Sequence, residues 1–170
     1  VVLTPFSKEV TRRMAGADLS NIDYMFSWLG NSDLLLAIIK IIEDKLNAPD
    51  DMQSVGVQAI LLVEDSVRFY SSALPCLYKI VLEQSRKFST EALNDHLKML
   101  RMRGRPKVLL ARSYEEAMEI LQAYPNNILG VVSDMDYSYQ GSKHPQAGLI
   151  LAQELSLIHI SEPTRLRCIS

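Results

Sequence analysis

The chain is poor in cysteine. Cys76 and Cys168 are two residues among 170, too few and too far apart for a disulfide framework, so a reducing cytoplasm is the expected compartment. It also lacks an excess of one charge. With 18 basic and 20 acidic residues, neither direct binding to nucleic acid nor attraction to an anionic membrane is favoured. Long apolar runs are missing as well. The longest, residues 34–42, is interrupted by Lys40 and is too short to span a bilayer. No stretch has the form of a secretory leader, and no segment is repetitive or of low complexity. What remains is 48% hydrophobic and 22% charged, an ordinary globular composition for one domain or pieces of two.

Two stretches organise the rest. Ile60-Leu61-Leu62-Val63-Glu64-Asp65-Ser66 and Ile128-Leu129-Gly130-Val131-Val132-Ser133-Asp134 are aliphatic runs that end abruptly in acid. Such runs suit strands buried on both faces of a parallel sheet. Ligands of open α/β sheets bind beyond the carboxyl ends of the strands. Glu64, Asp65 and Asp134 are therefore expected to converge on one acidic pocket. Their repulsion is relieved by protonation or by a cation, and a divalent ion held by hard oxygen ligands is the simplest relief.

Along the chain, residues 1–4 read as the end of a buried strand. Ser7 is placed to cap a helix through Val10 and Met14 toward Ala17. Residues 22–28 form a second strand candidate, and Asn31 or Ser32 caps a helix with apolar positions 34, 35, 38, 39, 42 and 46. Residues 47–56 carry Pro49, Gly56 and several acids and amides, a composition that predicts a linker. A strand over 57–63 follows, then a helix over about 66–83 with Phe69, Tyr70, Leu74, Leu77, Ile80 and Val81 inward. Pro75 is expected to kink that helix. Residues 87–102 read as a further helix ending in a basic stretch at 101–107. A strand at 108–111, a helix opened by the capping-box spacing of Ser113 and Glu116, the strand to Asp134, a polar loop over 136–146 and a helix at 147–154 complete the order.

Both ends look unnatural. Val1 is not an initiator, and the tail LSLIHISEPTRLRCIS from Leu155 resembles the translated read-through of a sequencing adapter. Residues 155–170 are thus expected to be an artefact, with the natural chain cut near Glu154 and continuing beyond it. On that reading His159 and Cys168 carry no chemistry.

The acidic strand ends resemble those of the receiver domains of bacterial response regulators, over most of residues 57–154 and more weakly over 1–46. The resemblance implies a flavodoxin-like, doubly wound parallel α/β sheet of order 2-1-3-4-5, here built from two partial receiver units. Residues 1–46 would be the C-terminal half of a degenerate unit, 47–56 a linker, and 57–154 the start of a second unit with an inserted helix over 84–106. It further implies that Glu64 and Asp65 hold Mg²⁺, that Asp134 is the phosphoacceptor, and that the backbone carbonyl of Asp136 completes the metal's protein ligands. A carboxylate is a competent nucleophile for phosphorus, and Mg²⁺ neutralises charge on the transferring group. The implied partners are a histidine kinase or phosphotransfer protein and a downstream domain of the same parent chain, with no nucleic acid and no membrane.

The sequence departs from that family in several places. Val2-Leu3-Thr4 matches the fourth strand, whose terminal hydroxyl binds the phosphoryl group, which makes Thr4 a weak site candidate. Asp23-Tyr24-Met25-Phe26-Ser27-Trp28 resembles the fifth strand, but Ser27 and Trp28 stand where Lys and Pro are usual. The separation of Asp65 from Asp134 is longer than usual, and the loop after Met135 is altered. A composite five-stranded sheet, with residues 1–4 pairing against 130–133, would bring Thr4 near Asp134. The tandem layout also looks like the N-terminal regulatory region of phosphoenolpyruvate synthase-like proteins, in which a non-phosphorylated pseudo-receiver would be an interaction module. A third resemblance, of Asp134-Met135-Asp136 to the Asp-x-Asp of haloacid-dehalogenase-like phosphatases, leaves Glu64 and Asp65 unexplained.

Other residues read more simply. His96 and His144 lack metal-ligand spacing. Cys76 is expected as a packed thiol. Trp28 suits a core position as well as an interaction surface. The basic stretch at 101–107 is expected to be a solvated helix end and loop, with a contact to the adjoining unit as the alternative.

Overall fold

The structure, a computed structural model, describes residues 1–5, 22–28, 30–90 and 104–159. The helix expected after Ser7, His96, residues 101–103 of the basic stretch, and Cys168 with the rest of the tail from 160 lie outside the described residues. The elements in order are β1 (Val2–Pro5), β2 (Met25–Trp28), α1 (Asp33–Val55), β3 (Ala59–Val63), α2 (Val67–Thr90), β4 (Lys107–Ala111), α3 (Tyr114–Ala123), β5 (Ile128–Ser133), β6 (Tyr137–Tyr139), β7 (Ser142–His144) and α4 (Ala147–His159). The chain is a mixed α/β protein with parallel sheets. Among the described residues no helix is long and apolar enough to cross a membrane.

The central sheet has the order β4-β3-β5, all parallel. Strand alternation divides its side chains between two cores. Leu62, Val108 and Leu110 face one way, against Leu34, Ala37 and Ile41 of α1, Tyr70, Leu74 and Tyr78 of α2, and Tyr24 and Phe26. Ala59, Leu61, Val63, Leu109 and Ala111 face the other, against Ala117 of α3, Tyr137, and Ala147 and Leu151 of α4. This period of two is what a strand covered on both faces requires. The segments expected as two units thus share one core: Phe26 and Ile41 pack with Leu62 and Val108.

Several expectations about elements are corrected. Residues 47–55, expected as a linker, continue α1 through Pro49. Ala48 and Met52 extend its buried stripe into the second core. The helix stops at Gly56, whose φ of 75° suits a residue without a Cβ. There the N–H groups of Gly56 and Val57 donate to the carbonyls of Met52 and Asp51. The stripe itself runs Leu34, Ala37, Ile41, Asp44, Ala48 and Met52, while Leu35, Ile39 and Leu46 are exposed. A buried aspartate in the middle concealed the true phase.

The composite five-stranded sheet does not form. β1 pairs in parallel with β2 as a separate two-stranded sheet, with Thr4 opposite Ser27, and β5 pairs with β3. Among the described residues β5 is an edge strand, as β4 is, but unlike β4 it is not buried on both faces: Leu129 and Val132 are about half exposed, at 57% and 48%.

The polar loop over 136–146 contains an antiparallel hairpin, β6 with β7. Its two-residue turn is Gln140-Gly141, both at positive φ (52° and 76°), as a tight primed turn requires. In α2, Tyr70, Leu74, Tyr78 and Val81 are buried, whereas Phe69 and Ile80 face solvent. The helix runs on through Pro75 to Thr90, and Cys76 is exposed rather than packed.

The basic stretch, where described, is buried. Arg105 and Lys107 are 5% and 3% exposed, held by acids of α1 rather than by solvent. The Arg105 guanidinium is bidentate to Asp44, at 2.7 and 3.1 Å. Lys107 Nζ lies 2.5 Å from Asp51 Oδ2. The expected contact with the adjoining unit describes this arrangement better than a solvated loop does.

Candidate functional site

The site lies at the carboxyl ends of β3 and β5. Parallel pairing sets Val63 opposite Ser133, so the acids that follow both strands emerge side by side. The Asp134 N–H donates to the Val63 carbonyl at 3.0 Å, which carries the pairing one residue past β5. On the other side of β3, the Glu64 N–H donates to the Ala111 carbonyl at 2.9 Å. Glu64 and Asp134 thus begin at positions fixed by backbone ladders, as binding side chains on a rigid scaffold should.

Each acid has a distinct environment. Glu64 is buried, and its Oε1 accepts the Ser66 N–H at 2.9 Å, closing the turn into α2. Burial pushes its carboxyl above the ordinary range. The Ser66 N–H opposes that shift, and the charges of Asp134 and Asp65 add to it. Asp134 is exposed, and its Oδ1 accepts the Met135 N–H at 2.7 Å, which orients the carboxylate. Asp65 and Asp136 flank a residue absent from the sequence-based site: Lys143 of β7, whose Nζ lies 3.7 Å from Asp65 Oδ2 and 3.9 Å from Asp136 Oδ2.

The hairpin that delivers Lys143 is anchored at several points. Gln140 donates its N–H to Glu115 Oε1 at 2.8 Å, and Ser138 bridges to Ser113. Tyr139 packs edge-on against Tyr114, with ring centroids 4.9 Å apart. Tyr137 is fully buried beneath the site, and its hydroxyl accepts from Ser133 Oγ at 3.4 Å. At the start of α3, Ser113 caps Glu116 N at 3.1 Å, as expected. Glu116 returns to the Arg112 N–H at 2.7 Å rather than to the cap residue's own. Close approach of α4 completes the floor. A Cβ on Gly148 would lie 2.2 Å from the Asp134 carbonyl oxygen, so the helix meets the strand end where only glycine fits.

Thr4 is not drawn into this site by sheet pairing. It sits on β1 and donates its hydroxyl to the Phe26 carbonyl at 3.4 Å. Ser27, in the position of the expected lysine, is buried, and its N–H donates to Ser71 Oγ at 2.9 Å. His144 accepts the Gln146 N–H on Nδ1 and packs against Tyr139, a structural role.

The donor set of Glu64, Asp65, Asp134 and the Asp136 carbonyl is all hard oxygen, which suits Mg²⁺ in chemistry. Among the described residues, however, no three His, Cys, Asp or Glu side chains are gathered as a metal-binding group. Lys143 supplies positive charge to two of the acids instead. Only the alternation of polar and apolar residues around Tyr137 signalled that hairpin in the sequence, and three-residue strands carry too little pattern to be read.

Compared with protein-family models, with curated proteins and with solved structures, the chain matches none.

Proposed function

We propose that this chain carries a receiver-type phosphoacceptor, with Asp134 taking a phosphoryl group from the phosphohistidine of a kinase or phosphotransfer protein in a Mg²⁺-dependent reaction. The observation that carries the reading is the register of β3 and β5, which sets Glu64 and Asp65 beside Asp134 at one sheet end. The order β4-β3-β5 corresponds to the first three strands, 2-1-3, of a flavodoxin-like sheet. The Met135 N–H orients the Asp134 carboxylate through Oδ1, which keeps a further lone pair for the ion, and Oδ2 is the nucleophile. It attacks phosphorus, the new O–P bond forms as the N–P bond breaks, and the departing imidazole takes a proton from solvent. Glu64, Asp65, Asp134 and the Asp136 carbonyl would hold the ion, which supplies charge neutralisation on the transferring group. The output is a change in docking to a neighbouring domain of the parent chain.

A second reading has its own support. Lys143 between Asp65 and Asp136 already relieves part of the acid repulsion, as a non-phosphorylated interaction module would need. Incubation with acetyl phosphate and MgCl₂ separates the two. The phosphoacceptor reading requires a phosphoryl adduct in intact-mass spectra, removed by hydroxylamine and lost in Asp134→Asn. No adduct, or one that persists in Asp134→Asn, would leave the interaction module.

A further inference from the structure

A cavity lies at the outer edge of β4, the side of the central sheet away from β5. In a parallel strand the backbone groups of alternate residues point to the same side. The Lys107 N–H and the Ala111 carbonyl engage β3, so those of Val108, Leu110 and Arg112 point outward. Two of these amides are closed by side chains. The Val108 N–H donates to Asp44 Oδ2 at 2.9 Å, and the Arg112 N–H to Glu116 Oε2 at 2.7 Å. Leu110 lies between them and is 6% exposed, yet its outward N–H and C=O have no partner among the described residues. Buried backbone groups left open are costly and rare. Here they border a cavity of about 280 Å³ that Leu110 lines. It straddles the strand edge, with Tyr24 and Ile41 contributed from one core and Ala48, Ile120 and Tyr124 from the other. Charges stand around it in pairs, Lys45 with Asp23 at 3.4 Å and Arg112 with Glu116 at 3.3 Å. Glu119 adds one more acid, and Glu64, Asp65 and Asp134 take no part.

We propose that this cavity binds a small, flat, uncharged heterocycle that offers an acceptor beside a donor, of the nucleobase kind. The ligand's acceptor takes the Leu110 N–H and its donor meets the Leu110 carbonyl, while the apolar walls and their two tyrosines cover its faces. The same edge refuses a peptide strand. Strand addition runs along successive outward backbone groups, and Asp44 and Glu116 hold the amides on either side of Leu110. Asp44 is itself fully buried and locked by Arg105, so that cap does not swing away. What remains is one residue's donor and acceptor, a window for a single planar edge. The volume agrees. At about 280 Å³ the cavity is at the small end for ligand sites, about 300–1,000 Å³. It has room for one ring system. With Asp23, Glu116 and Glu119 against Lys45 and Arg112 around it, no excess of positive charge invites a phosphate.

The test titrates adenine into the full, isotope-labelled chain and follows backbone amides by heteronuclear NMR. Adenine carries a ring-nitrogen acceptor beside an amino donor, whereas purine keeps the acceptor and lacks that donor. Adenine is expected to shift the Leu110 amide and to leave that of Val132 on β5 unmoved. Purine should bind about tenfold more weakly, because the Leu110 carbonyl is then left unmet. Ile120→Trp, which fills the cavity, should abolish the shift. Tyr124→Ala, which removes a wall, should weaken binding and serves if the tryptophan variant fails to fold. Equal affinity for adenine and purine would overturn the proposal, since the backbone edge would not be read. So would adenine shifts confined to residues outside the cavity, or none at millimolar adenine. Shifts at Val108 and Arg112 with an alternating Val-Thr peptide, and none at Leu110 with adenine, would also overturn it and assign the edge to strand addition.

Discussion

Arg105 closes a bidentate pair on Asp44, a residue 61 positions earlier in the chain. Asp44 is fully buried and also accepts from the Tyr78 hydroxyl and the Val108 N–H, both at 2.9 Å. One carboxylate therefore satisfies donors from α2, β4 and the turn before β4, and ties α1 to all three. A buried ion pair adds little net stability when complete, but breaking it leaves an uncompensated charge. Asp44→Ala is expected to cost about 3–5 kcal/mol, measured by urea denaturation. Asp44→Leu with Arg105→Met should cost markedly less than the two single changes summed.

Gly148→Ala is expected to destabilise the chain by about 1–3 kcal/mol, because the added methyl meets backbone that cannot turn aside. The strain falls on the Asp134 carbonyl, so phosphoryl uptake from acetyl phosphate should drop as well. Gly130→Ala, where a Cβ would meet nothing within 4 Å, is the control and should leave uptake intact.

Glu64 holds its proton more tightly when folded than when unfolded, chiefly because of burial and then because Asp134 and Asp65 lie near. Between the ordinary carboxylate value and the raised one, the folded state binds more protons. Stability therefore falls as pH rises through that window and stays lower above it. Glu64→Gln removes this loss. It is expected to match the unaltered protein near pH 4 and to exceed it at pH 7, in denaturation curves taken at both values.

Gly141→Val should loosen the hairpin that carries Lys143. A branched side chain at a φ of 76° costs about 1–2 kcal/mol. Faster amide hydrogen exchange confined to residues 137–144 would record it, with the three-stranded sheet unaffected.

The parallel strands, the acids at their ends and the Ser113 cap were legible in the sequence because each rests on local pattern. Aliphatic runs give strands, and Ser with Glu three residues on gives a helix start. The α1 stripe was misread because Asp44 stands in a buried position, where hydrophobic periodicity counts it as solvent-facing. Its neutralisation by Arg105 is a long-range fact. Pro49 misled for a related reason: Ala48 and Met52 are held by the second core, and that packing outweighs the hydrogen bond the proline removes.

What the sequence determined by itself was the α/β class and the identity of the acids Glu64, Asp65 and Asp134, since chain-local chemistry writes both. Tertiary structure alone decided that β1 joins β2 rather than β5, that residues 47–55 are helix, that Arg105 and Lys107 are buried, and that Lys143 stands among the acids. Each of these depends on which distant segments share a core or a charge, and the free energy of such contacts belongs to pairs of residues rather than to any stretch of sequence.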